Sequence, residues 1–90
     1  MFTIKDFRNT DLSGIMYNEN GQKILVLATG KNHQNMVVED PTCEKRFVFQ
    51  VWGLKGEEYR ATHVQVQKAY KGFKGAYNHL IRVTNMYPND

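Results

Sequence analysis

Residues 66–81 read VQKAYKGFKGAYNHLI, and this stretch decides which fold class the chain adopts. Apolar residues recur in it at the i, i+3, i+4, i+7 spacing that is typical of one helix face. The residues of this apolar stripe are Val66, Ala69, Tyr70, Phe73, Ala76, Tyr77, Leu80 and Ile81. Gly72 and Gly75 each cost about 0.8–1.0 kcal/mol relative to alanine inside a helix, so such a helix needs tertiary packing for its stability. The spacing therefore predicts an amphipathic C-terminal helix that packs on another layer.

The start of this helix is predicted from its capping residues. Thr62 and Gln65 match a capping box, in which a hydroxyl and a side-chain amide satisfy free backbone N–H groups. We therefore expect the helix to begin between positions 62 and 67. The alternative is a fifth strand over residues 59–66 before a shorter helix, because valine and glutamine also alternate over residues 64–67.

The chain before this segment reads as short strands separated by turns. The predicted strands are Phe2 to Phe7, Ile15 to Tyr17, Lys23 to Ala28, Met36 to Val38 and Arg46 to Trp52. Asn20-Gly21 predicts a tight hairpin between the second and third strands. The last strand is apolar on both faces and is expected to be central, with a turn over residues 53–56. The predicted fold class is α+β, an antiparallel sheet of four to five short strands with one C-terminal amphipathic helix packed on one face.

Length and composition limit the kind of protein this is. With 90 residues, 41% hydrophobic and 23% charged, the chain is expected to form a single folded domain over residues 1–90. Cys43 is the only cysteine, so an intramolecular disulfide is impossible and a reducing compartment is favoured. No apolar run approaches the ~20 residues of a membrane span, and no signal segment is evident at the N-terminus. We therefore expect a cytoplasmic protein.

Charge is distributed unevenly along the chain, whose formal net charge is +3. After Glu58 the only acidic residue is Asp90, whereas basic residues continue to Arg82. Projection on a helix places one set of polar residues in a single arc opposite the apolar stripe. The set consists of Lys68, Lys71, Lys74, Asn78, His79 and Arg82. An arc without carboxylates indicates an anionic partner.

Nucleic-acid binding is the leading functional hypothesis, with RNA favoured over DNA because no recognition-helix motif or dimerising heptad is present. Gly72 and Gly75 fall in the same arc, where the lack of side chains would let a phosphate backbone approach. Lys31, in the polar loop of residues 30–35, is expected to extend this surface. The predicted binding residues are Lys68, Lys71, Lys74, Arg82, His79, Asn78 and Lys31.

Two other interpretations of the same residues remain open. A helix that packs on a sheet needs a solvated outer face, and lysine is a common choice for it. The alternative function is a protein-interaction module or inhibitor of the kind found in phages and mobile elements. Such an inhibitor of a host defence enzyme would use an exposed sheet edge or the basic helix against an acidic protein, alone or together with bound RNA.

Catalytic motifs are not evident in the sequence. The three histidines are scattered without metal-ligand spacing, and Cys43 has no catalytic motif around it. We therefore expect a non-enzymatic protein without a metal or cofactor. A small metal-independent ribonuclease that uses His63, Tyr77, His79 and Arg82 ranks third, since general acid–base cleavage of RNA leaves no fixed motif.

Overall fold

The chain folds into a five-stranded antiparallel sheet with a C-terminal helix on one of its faces. The computed structural model describes residues 3–9, 14–29, 33–55 and 60–86. The elements in chain order are α1 (Ile4–Phe7), β1 (Ile15–Tyr17), β2 (Lys23–Thr29), β3 (His33–Glu39), β4 (Phe47–Lys55), β5 (Arg60–Tyr70) and α2 (Phe73–Met86). Each strand pairs with the next one in the chain, in the order β1-β2-β3-β4-β5. The predicted fold class is confirmed.

The hairpin that joins β1 to β2 forms where the sequence predicts it. Gly21 has a φ of 77°, a left-handed conformation that glycine adopts without strain. The Asn18 side-chain oxygen accepts hydrogen bonds from the backbone N–H groups of Asn20 and Gln22, at 3.0 and 2.9 Å. These bonds fix the turn and so set the register that pairs Ile15 with Leu25.

The interior strand β4 carries the centre of the core. Phe47, Phe49 and Val51 are buried on its α2 side, as the predicted central strand requires. The strand does not stop at Trp52 but continues to Lys55, so the turn predicted over residues 53–56 is wrong at its start. Continued pairing with β5 satisfies backbone groups that an early turn would leave free. Residue 56 lies outside the described part of the chain.

The boundary between strand and helix in the last third differs from the preferred prediction. Residues 60–70 form β5, and the helix begins at Phe73, so Thr62 and Gln65 lie in a strand and form no capping box. The fifth-strand alternative is the correct one, and the strand is longer than expected. The reason is tertiary, because β4 needs a partner along its second edge and β-branched residues 64 and 66 suit a strand. The turn at residues 71–72 then separates β5 from α2.

The N-terminal segment is a short helix, and the strand predicted over Phe2 to Phe7 is therefore wrong for residues 4–7. Thr3 and Asp6 form a reciprocal capping box, with the Thr3 backbone nitrogen 2.8 Å from an Asp6 carboxylate oxygen. This turn leaves Ile4 45% exposed and buries Phe7 completely. The Phe7 ring stacks on Phe73 at 4.9 Å, so α1 packs on the same side of the sheet as α2.

An ion pair fastens the end of α1 to β3. The Arg8 guanidinium donates to the carboxylate of Glu39, a residue that is only 8% exposed. Arg46 approaches the second carboxylate oxygen at 3.7 Å. Since burial of an unpaired carboxylate is costly, Arg8 both neutralises Glu39 and holds α1 against the sheet.

The polar loop predicted over residues 30–35 is shorter than expected. Residues 33–35 already belong to β3, and residues 30–32 lie outside the described ranges. The Asn35 side chain donates to the Thr84 hydroxyl of α2 at 3.4 Å. Asn35 is a polar residue at a strand position that faces the helix, and Thr84 gives it a hydrogen-bonding partner there. The sequence around Asn35 does not reveal this partner.

Strand register divides the sheet into two faces with different composition. The covered face carries α1 and α2, and one of its cross-strand rows runs from Ile15 on β1 to Lys68 on β5. The opposite face, here called the open face, has no helix from the described residues on it. The open face consists of Met16, Ile24, Val26, Gln34, Met36, Val38, Val48, Gln50, Trp52, Val64, Gln67 and Ala69. None of these side chains is charged.

Candidate nucleic-acid interface

The basic residues predicted on one helix are distributed over three elements. Lys68 lies on β5, Lys71 lies in the turn, and the other four lie on α2. The single helical arc is therefore a wrong prediction, because the helix begins five residues after Lys68. Lys31 lies outside the described residues. The fold places most of the remaining six residues on the covered side of the molecule.

A row of polar side chains runs along the outer surface of α2. Lys74, Asn78 and Arg82 follow one another at intervals of four residues and are all exposed. Residues four apart lie on the same face of a helix, so the three side chains form one line. The inner surface of the same helix buries Phe73, Ala76 and Leu80 against the sheet. The outer row is thus presented to solvent by a helix that is firmly packed.

Lys68 lies beside this row, on the edge strand β5. Its register partner is Phe49, so its side chain lies on the covered face beside α2 and not on the open face. The Lys68 Nζ atom lies 5.7 Å from the centre of the Tyr70 ring, a cation–π distance. An edge-strand residue has no further strand beyond it, which leaves this lysine exposed next to the helix.

His79 and Tyr70 form the contact between α2 and β5. The Tyr70 hydroxyl and the His79 Nδ1 atom are 2.9 Å apart, within hydrogen-bonding distance. The His79 ring also stacks on Phe49, with ring centroids 4.1 Å apart. Gly75 makes the contact possible, because a Cβ atom at this position would lie 2.8 Å from the Tyr70 ring. The space at Gly75, predicted to admit a phosphate backbone, is therefore occupied by Tyr70.

Charges around His79 change its protonation. Burial lowers the pKa of His79 below its usual value of 6.5, and the positive charges of Arg82 and Lys68 lower it further. The imidazole is therefore neutral at pH 7. Arg82 and Lys68 come from different elements, and the charges of both act on the same ring.

Lys71 differs from the other lysines because it has an acidic neighbour. Its Nζ atom lies 3.6 Å from the Glu44 carboxylate, and both side chains are exposed. Within the described part of the chain, no carboxylate forms an ion pair with Lys68, Lys74 or Arg82. We define the basic surface by Lys68, Lys74, Asn78, His79 and Arg82, and Lys71 lies outside it with its charge partly compensated.

Two residues considered for catalysis, His79 and Tyr77, make separate contacts, and the side chain of His63 lies outside the described part of the structure. His79 pairs with Tyr70, whereas Tyr77 stacks on Phe73 with ring centroids 5.6 Å apart. Cys43 is exposed, and its thiol donates to Asp40, an interaction that raises the pKa of the thiol. A thiol held in its protonated form is a poor nucleophile. Among the residues that the structure describes, no three His, Cys, Asp or Glu side chains are grouped for metal binding.

Two residues of the interface were not predicted from the sequence as functional. Tyr70 was assigned to the apolar stripe of the helix, and Phe49 to the core of a strand. Their contacts with His79 bring β4, β5 and α2 together, and no local sequence pattern carries that information. Alternation over residues 66–70 is the signal that places Lys68 and Tyr70 on the same face as Val66, whereas the register shift between Val51 and Trp52 puts Val64 on the other face.

Comparisons of the chain with protein-family models, curated proteins and solved structures find no significant match. No helix of the described ranges combines the length and apolar character that crossing a membrane requires. Function must therefore be argued from the geometry and charge of the chain itself.

Proposed function

We propose that this protein is a non-catalytic RNA-binding module that contacts phosphates through the basic surface. The observation that carries the proposal is that Lys68, Lys74 and Arg82 lie on the covered side of the molecule without ion-pair partners among the described residues. Exposed helices usually gain stability from opposite charges four residues apart, and this helix has no such pair in the described region. Uncompensated positive charge of this kind attracts polyanions and releases counterions when they bind.

The spacing of the charges suits a strand that runs along α2. Lys74 and Arg82 are two helical turns apart, a distance of about 12 Å along the axis. Lys68 lies to one side of this line on β5, and its charge, like that of Arg82, acts on His79. A nucleic-acid backbone that follows the helix would therefore meet one cation at each end of the row and a further cation on the neighbouring strand β5.

His79 adds a hydrogen-bond donor to this surface. In the tautomer in which the Tyr70 hydroxyl donates to Nδ1, the neutral imidazole carries its proton on Nε2. A phosphate bound between Lys68 and Arg82 would offset their charge and so raise the pKa of His79. RNA binding is then coupled to proton uptake, and the affinity rises as the pH falls through the range in which His79 titrates.

The shape of the interface favours RNA over duplex DNA. A recognition helix contacts base edges in the major groove with its N-terminal residues, whereas α2 buries its first residue, Phe73, in the core. The exposed row is shallow and continuous with the edge strand. Such a surface fits the accessible backbone of single-stranded or looped RNA.

The test is fluorescence anisotropy with a labelled single-stranded RNA of mixed sequence, titrated at several salt concentrations. Lys68→Gln, Lys74→Gln and Arg82→Gln are each expected to weaken binding and to reduce the slope of log K against log salt by about 0.7–1. Lys5→Gln is the matched control, since it removes the same charge from an exposed position on α1. Its slope should stay close to that of the wild type.

The outcomes separate this proposal from its alternatives. Equal loss in all four variants would mean that net charge alone drives binding and that there is no defined interface. Tighter binding to duplex DNA than to RNA would reverse the preference. Absence of binding to either nucleic acid, together with capture of an acidic protein that depends on the same three residues, would favour the inhibitor alternative.

A further inference from the structure

The turn between β1 and β2 contains the only Asn-Gly pair of the sequence, Asn20-Gly21. An asparagine side chain is open to attack by the backbone nitrogen of the next residue, and glycine has no Cβ atom that would hinder the approach. Both residues are exposed, and a Cβ atom at Gly21 would meet no other atom within 4 Å. The fold therefore leaves room at this position for water and for a change of covalent structure.

Four other asparagines of the described residues are placed where the same attack is hindered. Asn35 lies in β3, and its side-chain amide donates to α2 at 3.4 Å. Asn78 and Asn85 lie in α2, so the backbone nitrogen that would attack belongs to the helix. Asn18 donates its side-chain amide to another side chain of the turn at 3.0 Å. In all four cases the next residue also carries a side chain, which distinguishes Asn20 from them.

Hydrogen bonds within the turn hold the nitrogen that would attack Asn20. The Gly21 backbone N–H donates to the Asn18 carbonyl oxygen at 3.0 Å. The Asn18 side-chain oxygen accepts from the backbone nitrogens of Asn20 and Gln22, which fixes the chain on both sides of Gly21. Attack requires that the Gly21 nitrogen lose its proton and approach the Asn20 side chain, so the turn must open first. Asn18 therefore controls access to the reactive geometry.

We propose that Asn20 is a site of spontaneous deamidation whose rate is set by opening of the turn that Asn18 holds. The Gly21 nitrogen, after its proton passes to water or hydroxide, bonds to the Asn20 side-chain carbonyl carbon. The bond from this carbon to the amide nitrogen breaks, and the amide nitrogen takes up a proton from water and leaves as ammonia. Water then opens the cyclic imide at one of its two carbonyl carbons. The products are aspartate and isoaspartate, in which the chain continues through the former side-chain carbon.

Both products alter the β1–β2 hairpin. Each replaces a neutral amide with a carboxylate and lowers the formal net charge of +3 by one. Isoaspartate also inserts a methylene group into the backbone of a turn that sets strand register. β1 has three residues and lies at the edge of the sheet, so it is the strand that this change loosens. The basic surface lies on β5 and α2 and is expected to keep its structure.

The test follows the intact protein by mass spectrometry during prolonged incubation at neutral pH. The wild type is expected to gain about 1 Da, the difference between an amide and a carboxyl group. Peptide mapping with electron-transfer fragmentation, which distinguishes isoaspartate from aspartate, should place the first gain at Asn20. The same chain unfolded in urea gives the rate of the open turn, and the folded wild type should react more slowly.

Two variants test the role of the turn. Asn18→Ala removes two accepted backbone hydrogen bonds and should raise the rate at Asn20 by about tenfold, up to the rate of the unfolded chain. Glu19→Ala is the matched control, because it shortens the exposed side chain next to Asn18 and leaves those hydrogen bonds in place. Its rate should stay within about twofold of the wild type. Circular dichroism checks that both variants fold.

Three results would overturn the proposal. The first is a folded wild type that shows no gain of mass at Asn20 while the unfolded chain is converted. The second is a first gain at another asparagine. The third is a rate that Asn18→Ala leaves unchanged, since opening of the turn would then not control the reaction.

Discussion

The basic surface and the open face share strand β5 and yet differ in almost every physical property. One is exposed and carries cations that form no ion pairs with the described residues, whereas the other is uncharged, largely apolar and internally hydrogen bonded. The difference arises from strand geometry, since adjacent residues point to opposite faces. Lys68 lies on the covered face, while its neighbours Gln67 and Ala69 lie on the open face. A shift of one residue in the register of β5 would put the lysine on the apolar face.

The largest effect is expected from removing the side chain that joins the core to the basic surface. Phe49→Ala should lower the free energy of unfolding by about 3–5 kcal/mol, because Phe49 is fully buried and stacks on His79. Met16→Ala, on the exposed margin of the open face, should cost about 1 kcal/mol or less. Urea denaturation measures both. Equal losses would mean that the two faces contribute equally to the stability of the fold.

A smaller effect is expected at Gly75. Substitution of Gly75 and of Gly72 should have different effects on stability, because only Gly75 is in contact with another side chain. Gly75→Ala pushes a methyl group against the Tyr70 ring and should cost about 1–2 kcal/mol, since overpacking costs more than the gain in helix propensity. Gly72→Ala meets no atom within 4 Å and should be neutral or stabilising by up to about 1 kcal/mol. Thermal unfolding followed by circular dichroism compares them. A stabilising Gly75→Ala would contradict the packing of Tyr70 on the helix.

The pH dependence of stability is expected to reflect His79. Its pKa is lowered in the folded state, so the folded protein disfavours the protonated imidazole. The stability that the neutral ring contributes is fully present above pH 6.5, the usual pKa, and is lost as the pH falls below that value. His79→Gln should flatten this part of the profile, measured as the free energy of unfolding between pH 5 and pH 8. An unchanged slope would assign the effect to another histidine.

The smallest effect is expected where a carboxylate compensates a lysine. Glu44→Gln removes the acidic neighbour of Lys71 and should strengthen RNA binding by about twofold, because exposed ion pairs contribute little. Glu19→Gln, in the β1–β2 turn, makes the same change of charge away from Lys71 and serves as the control. Anisotropy titrations at low salt have the sensitivity to compare the two. Identical gains would show that the effect is one of net charge.

The parts of the fold that depend on local chemistry were predictable from the sequence. Asn18 to Gly21 defines a hairpin by its own turn geometry, and the apolar faces of β4 indicate an interior strand. The Thr3 and Asp6 capping pair was also readable, but the alternation of Phe2, Ile4 and Phe7 concealed it. Periodicity failed at residues 64–70, where strand and helix spacings overlap and the pairing demand of β4 decides the outcome.

The candidate site was predictable as a list of residues and not as an arrangement. Lys74, Asn78 and Arg82 lie on one helical face, and their relation follows from spacing alone. Lys68 reaches the same surface only through the packing of β5 beside α2. The contact between Tyr70 and His79 joins two elements through a gap left by Gly75, and such tertiary contacts leave no signature in local sequence.

The agreement between strand order and chain order has a consequence for how the protein is synthesised. Each new strand finds its partner in the segment made just before it, so the sheet can grow by successive hairpins as the chain leaves the ribosome. The covered face stays exposed to solvent during this growth, because α2 is made after all five strands. Ribosome-bound chains that end before Phe73 would therefore expose the residues that α2 later covers, and this side of the sheet is buried only once α2 has been made.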